Sequence, residues 1–114
     1  MTIDTLKRFG ANTDEGLARC MNKEDFYIKM VNMGLKDERF DTLPKVLASG
    51  NLDQSFELAH ALKGVIGNLA LTPMFDAICE LTELLRNKKP GDYTGLCKKV
   101  IDERARLLAM EKNE

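Results

Sequence analysis

A chain of 114 residues, with 44% hydrophobic and 31% charged residues, has the size and composition of one soluble globular domain. Its net charge of −1 and its lack of tryptophan argue against a nucleic-acid partner, because binding a phosphate backbone needs a basic surface and base stacking needs aromatic side chains. The first residues lack the apolar run of a secretory signal, and no apolar stretch reaches the ~20 residues that a bilayer-spanning helix needs. We therefore expect a cytoplasmic protein without a membrane partner.

The three cysteines, Cys20, Cys79 and Cys97, are predicted to be reduced thiols in or near the core. They are odd in number, far apart and without a C-x-x-C pair, which argues against a disulfide framework and against a metal site.

Helix start and stop signals divide the beginning of the chain into short helices. Thr2 is placed to cap a helix over residues 3–9, which Gly10 ends. Asn12, with a glutamate three positions later, starts a second helix that runs to about residue 21.

A longer helical segment is predicted over residues 23–48. In its first half, Phe26, Met30 and Met33, with Tyr27, Val31 and Gly34 beside them, form a broad apolar stripe. The pattern weakens around residues 34–37 and resumes at Phe40. Pro44 lies inside the second half and predicts a kink, so the segment is either one bent helix or two collinear helices.

Three further amphipathic helices are predicted over 51–70, 73–88 and 92–111, and Asp92 is placed to cap the last of them. No stretch alternates with the period of a strand. Short connections favour antiparallel neighbours. We therefore predict an all-α domain over residues 1–114. It is an antiparallel four-helix bundle (up-down-up-down) over about 23–110, with residues 1–22 as short N-terminal capping helices, and we expect it to be a monomer.

The helix over 51–70 contains the only histidine, and its pattern directs that residue away from the core. At about 100° per residue, the leucines, Val65 and Ile66 crowd one half of the helix. The other half presents His60, Gly64 and Gly67. Because an interior glycine costs about 1 kcal/mol relative to alanine, two glycines beside an exposed imidazole indicate that another macromolecule approaches this face.

Three chemistries are open to His60. A metal site needs several ligands, and one histidine without a cysteine cluster does not supply them. A hydrolase needs a nucleophile and an orienting acid around a pocket, and a small helical bundle offers little pocket. The option that the residues favour is the imidazole as nucleophile, which attacks a phosphoryl group and holds it as a phosphoramidate. Lys63, one helical turn away, can then neutralise phosphoryl charge.

The stretch Ala59-His60-Ala61-Leu62-Lys63-Gly64, followed by Asn68-Leu69, resembles the signature of histidine-containing phosphotransfer (HPt) domains, which is approximately A-H-x-L-K-G-x-x-x-N-[LI]-G. The resemblance covers roughly residues 23–110. It departs from the family at Ala70, where the family usually has glycine.

This resemblance implies a phosphorelay protein of two-component signalling, which is a phosphotransfer intermediate rather than a self-sufficient enzyme. His60 would be the phosphoacceptor and would exchange the phosphoryl group with the aspartate of response-regulator receiver domains, or receive it from a sensor histidine kinase. The receiver would bring the Mg²⁺, so no cofactor or metal is expected on this chain. Reflection of His60 through the Leu71–Thr72 turn of the helix hairpin places residues 82–83 opposite the histidine, so that Thr82 or Glu83 is expected beside the ring. Partner contacts are predicted at residues around His60 and across the helix hairpin, namely Glu57, Ala61, Gly64, Gly67, Asn68 and Thr82.

Two other functions compete with phosphotransfer. The first is a non-phosphorylated helical adaptor of the same fold, which docks on signalling proteins. The second is an unrelated helical bundle with a structural or regulatory role.

Overall fold

The computed structural model describes residues 1–114 and contains seven α-helices and no strand, which confirms the predicted all-helical fold. The helices are α1 Ile3–Phe9, α2 Thr13–Arg19, α3 Glu24–Leu35, α4 Arg39–Ser49, α5 Leu52–Asn68, α6 Thr72–Arg86 and α7 Tyr93–Lys112. None of them combines the length and the apolar character needed to cross a membrane.

Four of the helices begin at a side-chain cap. Thr2, Asn12 and Asp92, which were predicted as caps, and Asn51 each accept a hydrogen bond from the backbone N–H three residues later. These bonds satisfy backbone donors that the first turn of a helix leaves free. The starts of α1, α2, α5 and α7 therefore follow from local sequence alone.

The segment over 23–48 is two separate helices, α3 and α4. The last turn of α3 tightens, because Asp37 donates its backbone N–H to Gly34, three residues earlier. The Asp37 carboxylate then accepts hydrogen bonds from the backbone N–H of Arg39 at 2.9 Å and from its guanidinium at 3.0 Å. This local network starts α4, which continues through Pro44 to Ser49. The division thus lies at Asp37 and not at the proline.

Four helices surround the main core. α5 packs against α4 and α6, and α7 packs against α4 and α6, so that α4 to α7 form a closed ring. α1 packs on α7, and α2 links α1 to α3. Side chains from every helix except α2 contribute to one apolar cluster, whose largest fully buried members include Tyr27, Phe40, Leu62, Ile66, Met74, Ile78, Leu81 and Leu85. Two of the three unpaired thiols, Cys20 and Cys97, belong to the same cluster, as predicted.

α3 buries only one side of the predicted broad apolar stripe. Tyr27, Val31 and Leu35 are buried, whereas Phe26 is 40% and Met33 is 58% exposed. The sequence offers two adjacent apolar stripes of the same period, and contacts outside the helix choose between them. A Cβ on Gly16 would lie 2.3 Å from Cζ of Tyr27, so α2 leaves room for this ring only because residue 16 is glycine.

The C-terminal end of α5 is closed by a Schellman turn. Leu71 donates its backbone N–H to the carbonyl of Ile66, and Ala70 donates to the carbonyl of Gly67, each at 3.1 Å. Ala70 has φ = 56°, the left-handed conformation that favours glycine. The position at which the sequence departs from the HPt signature is therefore one where the fold uses left-handed backbone.

The N-terminal part of the chain completes this helix end. Three donors reach carbonyl oxygens at the end of α5: the Asn12 N–H to Ala70 at 3.0 Å, the Tyr27 hydroxyl to Leu69 at 2.8 Å, and the Arg19 guanidinium to Gly67. A helix end leaves its last carbonyls without intrahelical partners. Residues 12–27 supply partners for them and thereby hold α2 beside α5.

Candidate functional site

His60 lies on the exposed face of α5, as predicted, because its neighbours Ala59 and Leu62 turn into the core. Gly64 follows one turn later and is also exposed. Lys63 lies on the same side of the helix and is half-buried. The helix thus presents an imidazole, a primary amine and a bare stretch of backbone within two turns.

An aromatic ring that sequence reasoning missed contacts the imidazole. Phe56, four residues before His60, stacks on it with ring centroids 5.6 Å apart and an angle of 14° between the planes. The guanidinium of Arg86 lies over the Phe56 ring, 4.9 Å from its centroid. The spacing of four residues was the available signal, since side chains at i and i+4 meet on a helix surface.

The register of α5 against α6 determines what faces the histidine. Four facing pairs define this antiparallel register: Gly67 with Phe75, Lys63 with Cys79, Phe56 with Arg86, and Asp53 with Lys88. His60 therefore faces the turn of α6 around residues 82–83, as the reflection through the helix hairpin predicted.

Thr82, for which a partner contact was predicted, does not reach the surface. The side chain is fully buried, and its hydroxyl donates a 2.6 Å hydrogen bond to the carbonyl of Ile78. Its place on α6 is opposite His60, but the helix is rotated so that Thr82 points into the core. The neighbouring Glu83 is the exposed residue, and its carboxylate accepts a 3.2 Å hydrogen bond from Nε of Arg86.

The two glycines of α5 differ in what lies above them. A Cβ on Gly64 would meet nothing within 4 Å, so the backbone there is open to a partner. A Cβ on Gly67 would lie 3.0 Å from Cε1 of Phe75, which is 36% exposed. The ring of Phe75 therefore covers part of the space above Gly67, whereas the space above Gly64 is open.

A groove of about 480 Å³ runs along α5 beside the histidine. It separates α5 from the N-terminal part of the chain and from the start of α6. Its lining comprises Asn12, Glu15, Arg19, His60, Lys63, Gly64, Ile66, Gly67, Asn68, Ala70, Leu71, Thr72 and Phe75. Five of the predicted site residues thus share one groove, whereas Glu57 and Ala61 lie on α5 outside it.

The opposite wall of the groove comes from α2 and the residue before it. Arg19 pairs there with Glu15, and its guanidinium also donates to the Gly67 carbonyl. No local signal marked these residues as part of the site, because they approach His60 only through the packing of the N-terminal helices.

Lys63 also faces a thiol on α6. Burial raises the pKa of Cys79, the charge of Lys63 opposes that rise, and the carboxylates of Asp76 and Glu83 add to it. Cys79 therefore stays protonated near neutral pH and leaves the imidazole as the candidate nucleophile of this face.

The chemistry of the site is that of an accessible nucleophile next to a cation. No group of three or more His, Cys, Asp or Glu side chains is arranged to hold a metal ion.

A comparison of the chain with family models, with curated protein sequences and with solved structures returned no match.

Proposed function

We propose that this protein is a histidine-containing phosphotransfer protein of a two-component phosphorelay. The observation that carries the proposal is the exposure of His60 at a groove that also contains Lys63 and the open backbone of Gly64. The match of the surrounding residues to the HPt signature supports it independently of this geometry.

The architecture proposed for this function is the antiparallel four-helix bundle with an up-down-up-down course. The closed ring of α4, α5, α6 and α7, joined by short connections, supports that arrangement. The first bundle helix is then α4 alone, and α1, α2 and α3 form the N-terminal cap. One outer face of α5 is left for the partner.

In the proposed reaction, a ring nitrogen of His60 attacks the phosphorus of an aspartyl phosphate on a receiver domain. A P–N bond forms as the P–O bond to the aspartate breaks, and the aspartate leaves as a carboxylate. The reverse reaction passes the group to another receiver. The ammonium of Lys63 offsets part of the phosphoryl charge while the group is on the imidazole.

The partner supplies what the groove lacks. An acidic receiver pocket brings Mg²⁺ and the aspartate, and a sensor kinase is the other candidate donor. Gly64 lets the partner backbone approach the ring, and Glu57, Ala61 and Asn68 are the remaining proposed contact residues on α5. A cytoplasmic monomer is the form proposed.

The test is transfer from a phosphorylated receiver. Purified receiver domains from the same organism are labelled with a radioactive acyl phosphate, freed of excess reagent and mixed with the wild-type chain or with His60→Gln. We expect an acid-labile, base-stable label on the wild type and none on the variant. Label that persists on His60→Gln would reject the site. Absence of label with every receiver, combined with stable binding to one of them, would favour the helical adaptor.

A further inference from the structure

The imidazole of His60 is exposed, yet it is held on one side by the ring of Phe56. The two rings are nearly parallel, at 14°, with centroids 5.6 Å apart. A histidine alone on a helix surface would sample two χ1 wells and two broad orientations about χ2. Stacking favours the subset of these conformers in which the rings overlap.

Phe56 is itself fixed by contacts that do not involve the histidine. Its ring is half-buried and packs against the core cluster. The guanidinium of Arg86 lies 4.9 Å from the ring centroid, and Nε of Arg86 donates to the Glu83 carboxylate at 3.2 Å. A chain of contacts thus runs from α6 through Phe56 to the imidazole on α5.

We infer that Phe56 is the positioning residue for the His60 nucleophile. This inference rests on the proposed function for its kinetic consequence. Attack on phosphorus requires the nitrogen lone pair to lie in line with the bond that breaks, so the orientation of the ring plane matters. Phe56 does not touch the phosphoryl group. It raises the fraction of time that the imidazole spends in one orientation.

The size of the effect follows from the number of conformers. Two χ1 wells and two χ2 orientations give about four arrangements of an unrestrained ring. Replacing the phenyl ring with leucine keeps an apolar side chain on the core but removes the stack. We therefore expect Phe56→Leu to slow single-turnover transfer by up to about fourfold, with unchanged affinity for the receiver. Phe56→Tyr keeps the ring and should transfer at the wild-type rate.

The experiment combines NMR with kinetics on the full chain. In the wild type and in Phe56→Tyr, the ring current of the aromatic side chain should shift the carbon-bound protons of the His60 ring away from their free values. In Phe56→Leu these shifts should return toward free histidine. Phe26→Leu is the matched control, because Phe26 is also a partly exposed aromatic residue but lies on α3 and does not stack on His60. It should leave both the shifts and the transfer rate unchanged.

The outcomes separate this inference from the function on which it rests. Wild-type transfer with an equally fast Phe56→Leu variant would reject the positioning role and leave the phosphotransfer function standing. Unchanged ring-proton shifts in Phe56→Leu would also reject it. A wild type that takes no label from any receiver would overturn both the function and the role of Phe56 in it.

Discussion

Substitutions at Gly64 test two properties of α5, namely its stability and the accessibility of its backbone. The residue lies inside the helix, and a Cβ placed on it would meet nothing within 4 Å. Gly64→Ala should therefore add the full difference in helix propensity, about 1 kcal/mol in the free energy of unfolding. For a chain of this length that gain corresponds to a rise in Tm of about 4 °C.

The matched variant is Gly67→Ala. Its Cβ would lie 3.0 Å from Phe75, and the residue is in the last turn of α5. Displacing the ring offsets part of the propensity gain, so the increase in Tm should be smaller than for Gly64→Ala. Thermal unfolding followed by circular dichroism at 222 nm measures both variants under the same conditions.

A bulky residue at position 64 should separate folding from transfer. Gly64→Leu should retain or slightly raise helicity, because the side chain projects into solvent. Transfer from the phosphorylated receiver should nevertheless fall by at least about tenfold, since a clash that costs 1.4 kcal/mol at the interface corresponds to that factor. A wild-type transfer rate in Gly64→Leu would refute the view that open backbone admits the partner. A lower Tm in Gly64→Ala would refute the stability argument.

Two further predictions concern Lys63 and Tyr27. Lys63→Ala should slow transfer or weaken receiver binding while His60 still accepts the label, and Lys63→Arg should recover part of the loss. Stopped-flow transfer assays measure both variants. Unchanged kinetics in Lys63→Ala would show that Lys63 is only a surface charge. Burial raises the pKa of Tyr27 from 10.0 to about 12. The unfolded chain therefore releases this proton first, and the free energy of unfolding should fall as the pH rises from about 10 to 12. Tyr27→Phe should flatten that decline in urea unfolding at alkaline pH, and an equally steep decline would contradict the assignment.

The features that could be predicted from the sequence are those that depend on residues close to one another in the chain. Caps at Thr2, Asn12 and Asp92 gave the starts of three helices, and the helical period placed His60 outside the core. These depend on interactions within a few residues, which the order of amino acids specifies directly.

The features that escaped prediction depend on rotation and register between helices. Reflection through the hairpin found the turn of α6 that faces His60, but not whether Thr82 points inward or outward. Likewise, periodicity on α3 did not decide whether the side of the apolar stripe with Phe26 or the side with Tyr27 is buried. The structure buries Tyr27, whose hydroxyl donates a hydrogen bond to the Leu69 carbonyl. Periodicity gives one face of each helix with an error of about one residue, and that error equals about 100° of rotation.

The groove beside His60 has walls that come from distant parts of the chain. One wall is α5 itself, and the other includes Glu15 and Arg19, with Arg19 lying 48 positions before Gly67, whose carbonyl it contacts. Evolution can therefore alter the two walls separately. Exposed positions of α2 other than Arg19, which contacts the Gly67 carbonyl, can change the shape and charge of one wall without any change in the histidine helix.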